Sequence, residues 1–395
     1  MAEDPIVIVG AARTAMGGML GDFAGVPAPT LGGRAIAGAM AGAGLGTAEI
    51  DELVMGNVLS AGQGQAPARQ ALFEAGLNEA TRATTLNKMC GSGMKATMVA
   101  HDQLRAGAAR AVVAGGMESM TNAPFLLPNH RAGQRLGHTE VIDHMMKDGL
   151  EDAYDSGRAM GTFAEDCAEK YQFTREAQDA YALESLDRAR AAQASGAFSA
   201  EIVAVTVKSR TDSRDIVKDE QPDRARPEKI PHLRPAFREG GTVTAANSSS
   251  ISDGAAALIL MRESEAKVAG APIRARILGQ GSHAQAPNWF TTAPIPAIRS
   301  ALDGAGLRPS DIDLWEINEA FAVVPMAAMV EIGLDRDRVN VHGGACALGH
   351  PIGASGARIL VTLLHALETH DKTLGLAALC IGGGEGTAMV IERAA

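Results

Sequence analysis

One cysteine in the first quarter of the chain occupies a position suited to nucleophilic chemistry. The stretch TLNKMCGSGMKA, residues 85–96, leads from a strand-like segment into a helix-like one, and Cys90 lies at the junction among glycines. The helix dipole and nearby N–H groups stabilise a thiolate at the start of a helix. The sequence therefore predicts a reactive Cys90 thiol with a lowered pKa.

A histidine near the other end of the chain could serve this thiol as a base. The stretch HGGACALGHPIGASG, residues 342–356, holds His342, Cys346 and His350 at intervals of four. That spacing suits a metal site on one helix face, but two glycines after His342 and the proline after His350 oppose a helix. We therefore predict no metal here and place His350 at a rigid loop tip, as a base for the Cys90 thiol.

Two further polar groups follow short apolar strands. LCIGGGEGTAMVIE, residues 379–392, places Cys380 before three glycines, whose N–H groups can turn toward a reacting oxygen. NEAFA, residues 318–322, begins with Asn318. The carboxyl ends of strands are where ligands bind in open α/β sheets. A second thiol suits a reaction that moves a second proton, as acyl transfer followed by carbon–carbon bond formation does.

An internal repeat indicates how these residues are brought together. GLGTAEIDELVMGN at 44–57 and GLRPSDIDLWEINE at 306–319 share Gly-Leu, Ile and Asp at equal offsets. Each copy is followed by a helical pattern and an apolar strand ending in glycines, ARAVVAGGMES at 109–119 and TLGLAALCIGGGEG at 373–386. This order predicts an α/β fold with a duplicated, parallel, layered core.

The chain between the two copies has a different composition. We predict a loop domain at 121–249, an N-terminal half formed by 1–120 plus 250–272, and a C-terminal half at 273–395. Residues 205–240 contain nine Lys or Arg and seven Asp or Glu in an otherwise acidic protein. This stretch is either a solvated surface or an anchoring zone for a phosphate-bearing ligand.

The overall composition excludes several classes of function. With 395 residues, a net charge of −10 and 4% aromatic residues, the chain is a poor candidate for nucleic-acid or membrane binding. The N-terminus lacks the pattern of a secretory signal, so a cytoplasmic location is expected. Four cysteines without CxxC spacing should stay reduced there, and we expect Cys167 and Cys346 to be packing residues.

The motifs NKMCGSG, NEAFA, GHPIGASG and CIGGGEG, in this order, resemble those of the thiolase family. The resemblance spans the chain and implies a duplicated αβαβα core with an inserted loop domain. It implies acetyl-CoA, acyl-CoA and CoA as substrates, no permanently bound cofactor, and a homodimer or homotetramer. The activity would be acetyl-CoA C-acetyltransferase or, alternatively, a broader-chain 3-ketoacyl-CoA thiolase.

The resemblance also implies roles for the site residues. Cys90 would accept the acyl group as a thioester, and His350 would activate Cys90 and later bind the thioester oxygen of the attacking acetyl-CoA. Cys380 would remove a proton from the acetyl methyl group. Asn318 would hold a water that completes one oxyanion hole with His350. The N–H groups of Cys90 and Gly382 would form the other.

Binding of coenzyme A is assigned by the same resemblance. Ser249 matches a serine that contacts the pantetheine arm, and Phe237 and Phe321 match residues that line its tunnel. Arg224 is a candidate for the adenine-phosphate end. The dimer interface is expected at residues 62–76.

Three positions depart from the pattern of thiolases that act on small acyl groups, and two glycines beside Cys90 have an expected role. Ala159 replaces a frequent histidine, Phe290 replaces a methionine near the acyl pocket, and Ser250 stands where glycine is frequent. Gly91 and Gly93 are expected to let the acyl thioester approach the main chain.

Two other classes of protein compete with this interpretation. A decarboxylating ketoacyl synthase would lack the second catalytic cysteine, so Cys380 argues against it. A non-catalytic CoA- or lipid-binding member of the fold would have lost Cys90, His350 or Cys380, and all three are present.

Overall fold

A computed structural model describes residues 4–208 and 212–394 of the chain. Residues 209–211 of the basic stretch and the first three residues of the N-terminus lie outside the described part. Within it, eleven strands form one mixed sheet in the order β13-β14-β15-β12-β1-β11-β5-β3-β4, with β2 and β8 paired at its side. The strands are β1 Ile6–Thr14, β2 Gly17–Gly18, β3 Glu52–Gly56, β4 Arg82–Leu86, β5 Ala111–Ser119, β6 Phe125–Leu126, β7 Ile142–Asp143, β8 Ile202–Val203, β9 Val205–Lys208, β10 Ser213–Ile216, β11 Ser252–Arg262, β12 Ala275–Ala284, β13 Leu314–Ile317, β14 Leu374–Ile381 and β15 Glu385–Arg393.

The sheet has two wings, one formed by β13, β14, β15 and β12 and the other by β1, β11, β5, β3 and β4. The helices cover the outer face of each wing and fill the space between the two wings. They are α1 Ala28–Ala43, α2 Pro67–Glu74, α3 Ser92–Arg105, α4 Met160–Tyr171, α5 Arg175–Ser195, α6 Gln221–Arg224, α7 Glu263–Ala269, α8 Pro294–Ala305, α9 Val323–Ile332, α10 Ala345–Leu348 and α11 Ile352–Thr369. Helix α1 packs on β1, β11 and β5, and α8 packs on β12, β15 and β14. Helices α3 and α11 pack on each other and on strands of both wings, which gives five layers, αβαβα.

The two wings are copies of one unit, as the internal repeat predicts. In each copy a short 3₁₀ turn precedes the strand, at Thr47–Glu49 before β3 and at Pro309–Asp311 before β13. The carboxylate of Asp51 accepts hydrogen bonds from the N–H groups at the start of β5, and Asp313 does the same at the start of β14. Equivalent aspartates therefore fix equivalent strands, and the predicted duplicated core is confirmed.

The prediction of parallel strands holds for only part of the sheet. Strand β3 runs parallel to β4 and β5, and β13 runs parallel to β14. Strands β11 and β15 run antiparallel to their neighbours. The β14–β15 connection is a short glycine turn, and such a turn can join only antiparallel strands.

Close contact between α3 and α11 determines where the candidate site forms. A Cβ atom at Gly93 would lie 2.6 Å from the nitrogen of Ala357, and one at Gly356 would lie 2.3 Å from the nitrogen of Met94. Only glycine permits this approach, since real Cβ contacts are longer. The first turns of both helices, which follow Cys90 and His350, are consequently held against each other.

The chain between β5 and β11 contains the two longer helices α4 and α5 and several two- to four-residue strands. Its segment from β6 to β7 exposes large apolar side chains. Across residues 4–208 and 212–394, no helix combines the length and apolar character needed to cross a bilayer.

Candidate active site

The thiol of Cys90 lies where the two halves of the core meet. Met89, just before it, has a positive φ of 46°, and Ser92 opens α3 with its hydroxyl bonded to the Met89 carbonyl at 2.7 Å. The N–H groups of Cys90 itself and of Gly382, in the opposite half, lie close enough to the Cys90 sulfur to lower the pKa of its thiol. Two main-chain donors from distant parts of the sequence therefore converge on one sulfur.

The predicted low pKa of this thiol is wrong. Burial raises the pKa of Cys90 to about 11, and the negative charge of Glu118 adds to the rise. The two N–H donors lower the pKa of the thiol but do not outweigh the loss of water. Cys90 is therefore a neutral thiol at rest and requires a base that removes its proton during attack.

The expected role of the two glycines beside Cys90 also needs correction. A Cβ at Gly91 would lie 2.3 Å from Cδ1 of Ile381, and Gly93 faces the main chain of α11. Both glycines therefore lie in close contact between the two halves of the core, and they leave no room for an acyl chain. Their small size brings the Cys90 loop against the end of β14.

Cys380 is buried at the end of β14, and its thiol interacts electrostatically with that of Cys90. Burial raises the pKa of Cys380 well above the ordinary value, and the neighbouring Cys90 sulfur contributes to the rise. The shared site of the two thiols stays a prediction, which this effect of one sulfur on the other supports. A neutral Cys380 thiol must give up its own proton before it can act as a base.

His350 faces the site with one free ring nitrogen. Its Nδ1 lies 2.5 Å from the Ser355 hydroxyl, which itself donates to the Pro351 carbonyl at 2.9 Å. A hydroxyl has one proton, so Nδ1 must donate to Ser355 and Nε2 is left as an acceptor. Nε2 is buried with no partner among the described residues. Burial, aided by Arg358, lowers the pKa of His350 to about 3, so its ring is neutral and can accept a proton.

Asn318 follows β13 and is almost completely buried. Its N–H donates to the Ala378 carbonyl at 2.9 Å, which fixes the residue beside β14. Both polar atoms of its side-chain amide lack a partner in the described part of the chain. A buried amide in this state calls for a water or a substrate oxygen, which fits the predicted role.

The neighbouring Glu319 holds the histidine loop in place. Its carboxylate accepts hydrogen bonds from Tyr181 at 3.0 Å, Ser185 at 2.7 Å, Asn340 at 2.8 Å and the N–H of Cys346 at 3.0 Å. These donors come from α5 and from both ends of the loop before His350. Sequence reasoning used only the asparagine of NEAFA and missed the structural role of the glutamate beside it.

Glu118, at the end of β5, was also missed. Its carboxylate accepts hydrogen bonds from the Asn57 amide, from the N–H groups of Val58 and Leu59, and from the N–H of Gly353 in the first turn of α11. It thereby ties the N-terminal half to the helix that follows His350. Burial raises its pKa to about 7. Its role depends on Gly353, 235 positions away, so no local pattern in the sequence marks it.

Comparison with known proteins decides the family. The profile of thiolase N-terminal domains matches residues 6–264, and that of thiolase C-terminal domains matches residues 271–393. The chain belongs to the thiolase family. It is thus an enzyme of the acyltransferase class, and the resemblance carried by the four motifs is confirmed.

Similar proteins extend over the full thiolase chain. Acetyl-CoA acetyltransferase 2 of Arabidopsis thaliana is 51% identical over 391 residues, covering 98% of this chain and 96% of its own. The acetyl-CoA acetyltransferase of Escherichia coli K12 is 51% identical, with 98% of both chains covered. The crystal structure of the Bacillus anthracis acetyl-CoA acetyltransferase superposes with a TM-score of 0.96 at 40% identity over all of both chains. The Acat5 thiolase of Ascaris suum in complex with coenzyme A gives 0.93 at 41% identity, covering 99% of this chain and 100% of that one.

The residues expected to bind the pantetheine arm of coenzyme A contact the NEAFA loop of the thiolase site. The Ser249 hydroxyl donates to the Ala320 carbonyl at 3.0 Å, which ties it to the NEAFA loop. The rings of Phe237 and Phe321 form an edge-to-face pair at 6.0 Å, and Phe290 packs on Phe321 at 6.4 Å. The departure at Phe290 therefore extends an aromatic cluster beside the site.

Arg224 lines a groove that leads toward the histidine loop. The groove has a volume of about 330 Å³ and is also lined by Arg226, Lys229, Ser250 and Cys346. Arg224 forms ion pairs with two carboxylates. Arg226 and Lys229, by contrast, have no ion-pair partner in the described part of the chain and are the stronger anion ligands. The Ser250 carbonyl accepts a hydrogen bond from the N–H of His350 at 3.2 Å.

The two remaining cysteines have different environments. Cys167 is buried in the core cluster around α4, as the packing prediction requires. The Cys346 sulfur lies 3.7 Å from the Glu319 carbonyl, and the residue borders the groove just described. Burial and Glu319 raise the pKa of Cys346 well above its ordinary value, so its thiol stays neutral.

The raised pKa of Cys90 predicts how alkylation of the free enzyme depends on pH. Because its pKa is about 11 and that of His350 about 3, both groups are neutral from pH 5 to 9. The thiolate fraction, and with it the rate of alkylation by iodoacetamide, should rise about tenfold per pH unit over this range.

The rate is measured by the mass of the peptide that carries Cys90, with the Cys90→Ala variant as the blank. A plateau beginning near pH 6 or 7 would reveal a preformed thiolate–imidazolium pair and contradict the neutral resting state.

Proposed function

We propose that this thiolase is an acetyl-CoA C-acetyltransferase, which condenses two acetyl-CoA molecules to acetoacetyl-CoA and CoA and also catalyses the reverse thiolysis. One observation carries the proposal. Two thiols from opposite halves, Cys90 and Cys380, interact in a buried site where His350 presents an unprotonated nitrogen. Relatives that match this chain over its full length at 51% identity are named acetyl-CoA acetyltransferase, which supports acetyl-CoA as the substrate.

The first half-reaction forms the acyl-enzyme. The Cys90 sulfur attacks the acetyl thioester carbonyl while Nε2 of His350 accepts the thiol proton, which then passes to the departing CoA sulfur. The carbonyl oxygen gains negative charge during attack, and the N–H groups of Cys90 and Gly382 stabilise it. A Cβ at Gly382 would meet only the sulfur of Met160, at 3.6 Å, so this donor borders open space. Removing one such donor typically slows a reaction by a factor of about 10² to 10³.

The second half-reaction forms the carbon–carbon bond. His350, neutral again after the first half-reaction, accepts the thiol proton of Cys380, and the Cys380 thiolate takes a proton from the methyl group of the second acetyl-CoA. The resulting enolate oxygen is stabilised by His350 and by a water held on Asn318. The methyl carbon then attacks the acetyl group on Cys90, whose sulfur leaves as a thiolate. The proton held by His350 passes to that sulfur, so both thiols and the imidazole end as they began.

Two features of the surrounding chain support binding of coenzyme A along the groove. Arg226 and Lys229 provide unpaired positive charge for phosphates, with Arg224 beside them. Ser249 is tied to the loop of Asn318 through the Ala320 carbonyl, and Phe237 packs on Phe321 of the same loop, which supports their assignment to the pantetheine arm. Coenzyme A would accordingly bind on residues 121–249 and at their junction with the core.

Thiolysis rate against chain length tests the assignment to acetyltransferase. Cys90 packs against an apolar cluster that includes Met89, Met145 and Leu150, and this cluster would limit the length of the acyl group. We expect kcat/KM to be highest with the four-carbon 3-ketoacyl-CoA and to fall at least about tenfold by ten carbons. The measurement is thiolysis with substrates of four to sixteen carbons.

The Leu150→Ala variant is the matched control, because removing this side chain should shift activity toward longer substrates while the four-carbon rate changes less. A flat or rising profile in the unaltered enzyme would instead assign it to the broader-chain 3-ketoacyl-CoA thiolases. No thiolysis at any length would leave a non-catalytic CoA-binding protein.

The protein is a homodimer or homotetramer located in the cytoplasm. Phe125, Leu127 and Leu136 are exposed on the segment from β6 to β7, Leu136 by 97%, and a second copy would cover them. Phe73, within the expected interface at residues 62–76, is also exposed. The four cysteines are unbonded, as a reducing compartment requires.

A further inference from the structure

The loop that carries Cys90 and the turn that carries Gly382 are joined by an ion pair. Lys88 lies two residues before Cys90, and its Nζ contacts the carboxylate of Glu385, three residues after Gly382. The two side chains are 297 positions apart in sequence and 23% and 37% exposed. The pair thus connects the two halves of the core at the edge of the site.

The turn that supplies Gly382 is packed at one end and open at the other. Gly384 packs on the main chain of Gln285 and Ala286, and its carbonyl accepts a hydrogen bond from the N–H of Gln285 at 2.8 Å. At Gly383, by contrast, a Cβ would meet nothing within 4 Å, and at Gly382 it would meet only the sulfur of Met160, at 3.6 Å. The part of the turn that carries the Gly382 N–H therefore has few packing contacts of its own.

The Cys90 loop is similarly dependent on contacts across the boundary. It packs on Ile381 through Gly91, and Met89 adopts a positive φ that side chains rarely take. Within the loop, the Lys88 N–H donates to the Ser92 hydroxyl at 2.8 Å. Any shift of Lys88 is therefore transmitted to the start of α3 and to the N–H of Cys90.

We propose that the Lys88–Glu385 ion pair is a positioning contact, which sets the distance between the two N–H donors that stabilise the acyl oxyanion. The inference rests on the proposed function. Because one donor belongs to each half, their spacing is determined by how the halves are held together at this point. Preorganised donors stabilise charge only when they are placed to within a fraction of an ångström.

Removal of the Lys88–Glu385 ion pair should change the rate of the enzyme and not the stability of its fold. A partly exposed ion pair contributes little to folding, so its removal should leave the melting temperature nearly unchanged. Lys88→Met and Glu385→Gln should each slow acetylation of Cys90 and kcat by about tenfold, with KM for acetyl-CoA changed less than twofold. Lys88→Arg keeps the charge and should retain most of the activity.

The decisive variant exchanges the two charges. Lys88→Glu combined with Glu385→Lys should recover at least half of the rate lost in the single variants, because the cross-boundary contact is restored. Lys267→Met, which breaks a surface ion pair with Glu263 on α7 away from the site, is the matched control and should turn over like the unaltered enzyme. The measurements are the rate of acetyl-enzyme formation by mass spectrometry, steady-state kinetics and thermal melting.

Several results would overturn the proposal. Single variants that acetylate at the unaltered rate would show that the pair does not position the donors. Exchanged charges no better than the single variants, with a raised KM, would show instead that Lys88 acts on the substrate directly. Failure of the proposed function is distinguishable, since the unaltered enzyme would then form no acetyl-enzyme at all.

Discussion

Replacing Cys90 with alanine should abolish acyl transfer, with kcat reduced at least about 10⁴-fold. The Cys90 thiol is the group that lies beside the N–H donors of Cys90 and Gly382, and alanine has no atom that could form a thioester in its place. Mass spectrometry of the intact protein after mixing with acetyl-CoA should show one added acetyl group in the unaltered enzyme and none in Cys90→Ala.

The matched control for this experiment is Cys346→Ser. Its thiol borders the groove proposed for coenzyme A and lies against the Glu319 carbonyl, so acetylation should proceed as in the unaltered enzyme. Acetyl groups that persist on Cys90→Ala, or disappear in Cys346→Ser, would place the nucleophile at Cys346 instead.

Replacing Cys380 with serine should separate the two half-reactions. Cys90, His350 and both N–H donors remain, so the variant should still accept an acetyl group. Condensation should slow by a factor of about 10² to 10⁴, because a serine hydroxyl is a much weaker acid than a thiol and supplies almost no anion to take the methyl proton. Rapid-quench measurement of acetyl-enzyme, set beside acetoacetyl-CoA formation, resolves the two steps.

Cys167→Ser is the matched control, since that thiol is buried nearby but packs in the core around α4. It should condense at the rate of the unaltered enzyme after allowance for any loss of folded protein. Should Cys380→Ser condense as fast as the unaltered enzyme, the methyl proton must be taken by another base, and our assignment of Cys380 would be wrong.

Much of the fold could be predicted because the two halves repeat the same local pattern. The aspartates at 51 and 313 stand at equal offsets in the two copies and make the same hydrogen bonds. The direction of β11 and β15 could not be predicted from that pattern. Strand β15 reverses direction because a short glycine turn precedes it, whereas the long connection before β11 would permit either direction, and apolar runs encode neither outcome.

The catalytic residues could be predicted because each stands beside glycine or proline at the end of a strand or loop. Ser355, which fixes the tautomer of His350, and Glu118, which ties α11 to the N-terminal half, could not. Their roles arise from contacts across 5 and 235 positions in sequence, and single serines and glutamates are common. The predicted direction of the pKa shift of Cys90 was wrong, because burial of the thiol by the opposite half of the core raises its pKa more than the local helix start lowers it.

The neutral state of the site has a consequence for mechanism. A thiolate at rest would be reactive toward many electrophiles, whereas a neutral thiol beside an unprotonated imidazole becomes nucleophilic only as the proton moves. The low pKa of His350, about 3, makes the ring a weak base in isolation. Proton transfer must therefore coincide with attack on the thioester, where the developing oxyanion is stabilised by the two N–H donors.

The most direct test of the whole account asks whether two distant cysteines share one small space. Phenylarsine oxide bridges a pair of thiols through a single arsenic atom and reacts poorly with isolated ones. With the unaltered enzyme, we expect one arsenic per chain, loss of activity, and a digest in which the peptides of Cys90 and Cys380 are joined. Prior acetylation of Cys90 should prevent the reaction. An enzyme that stays active, or an adduct joining any other pair of cysteines, would contradict a shared site.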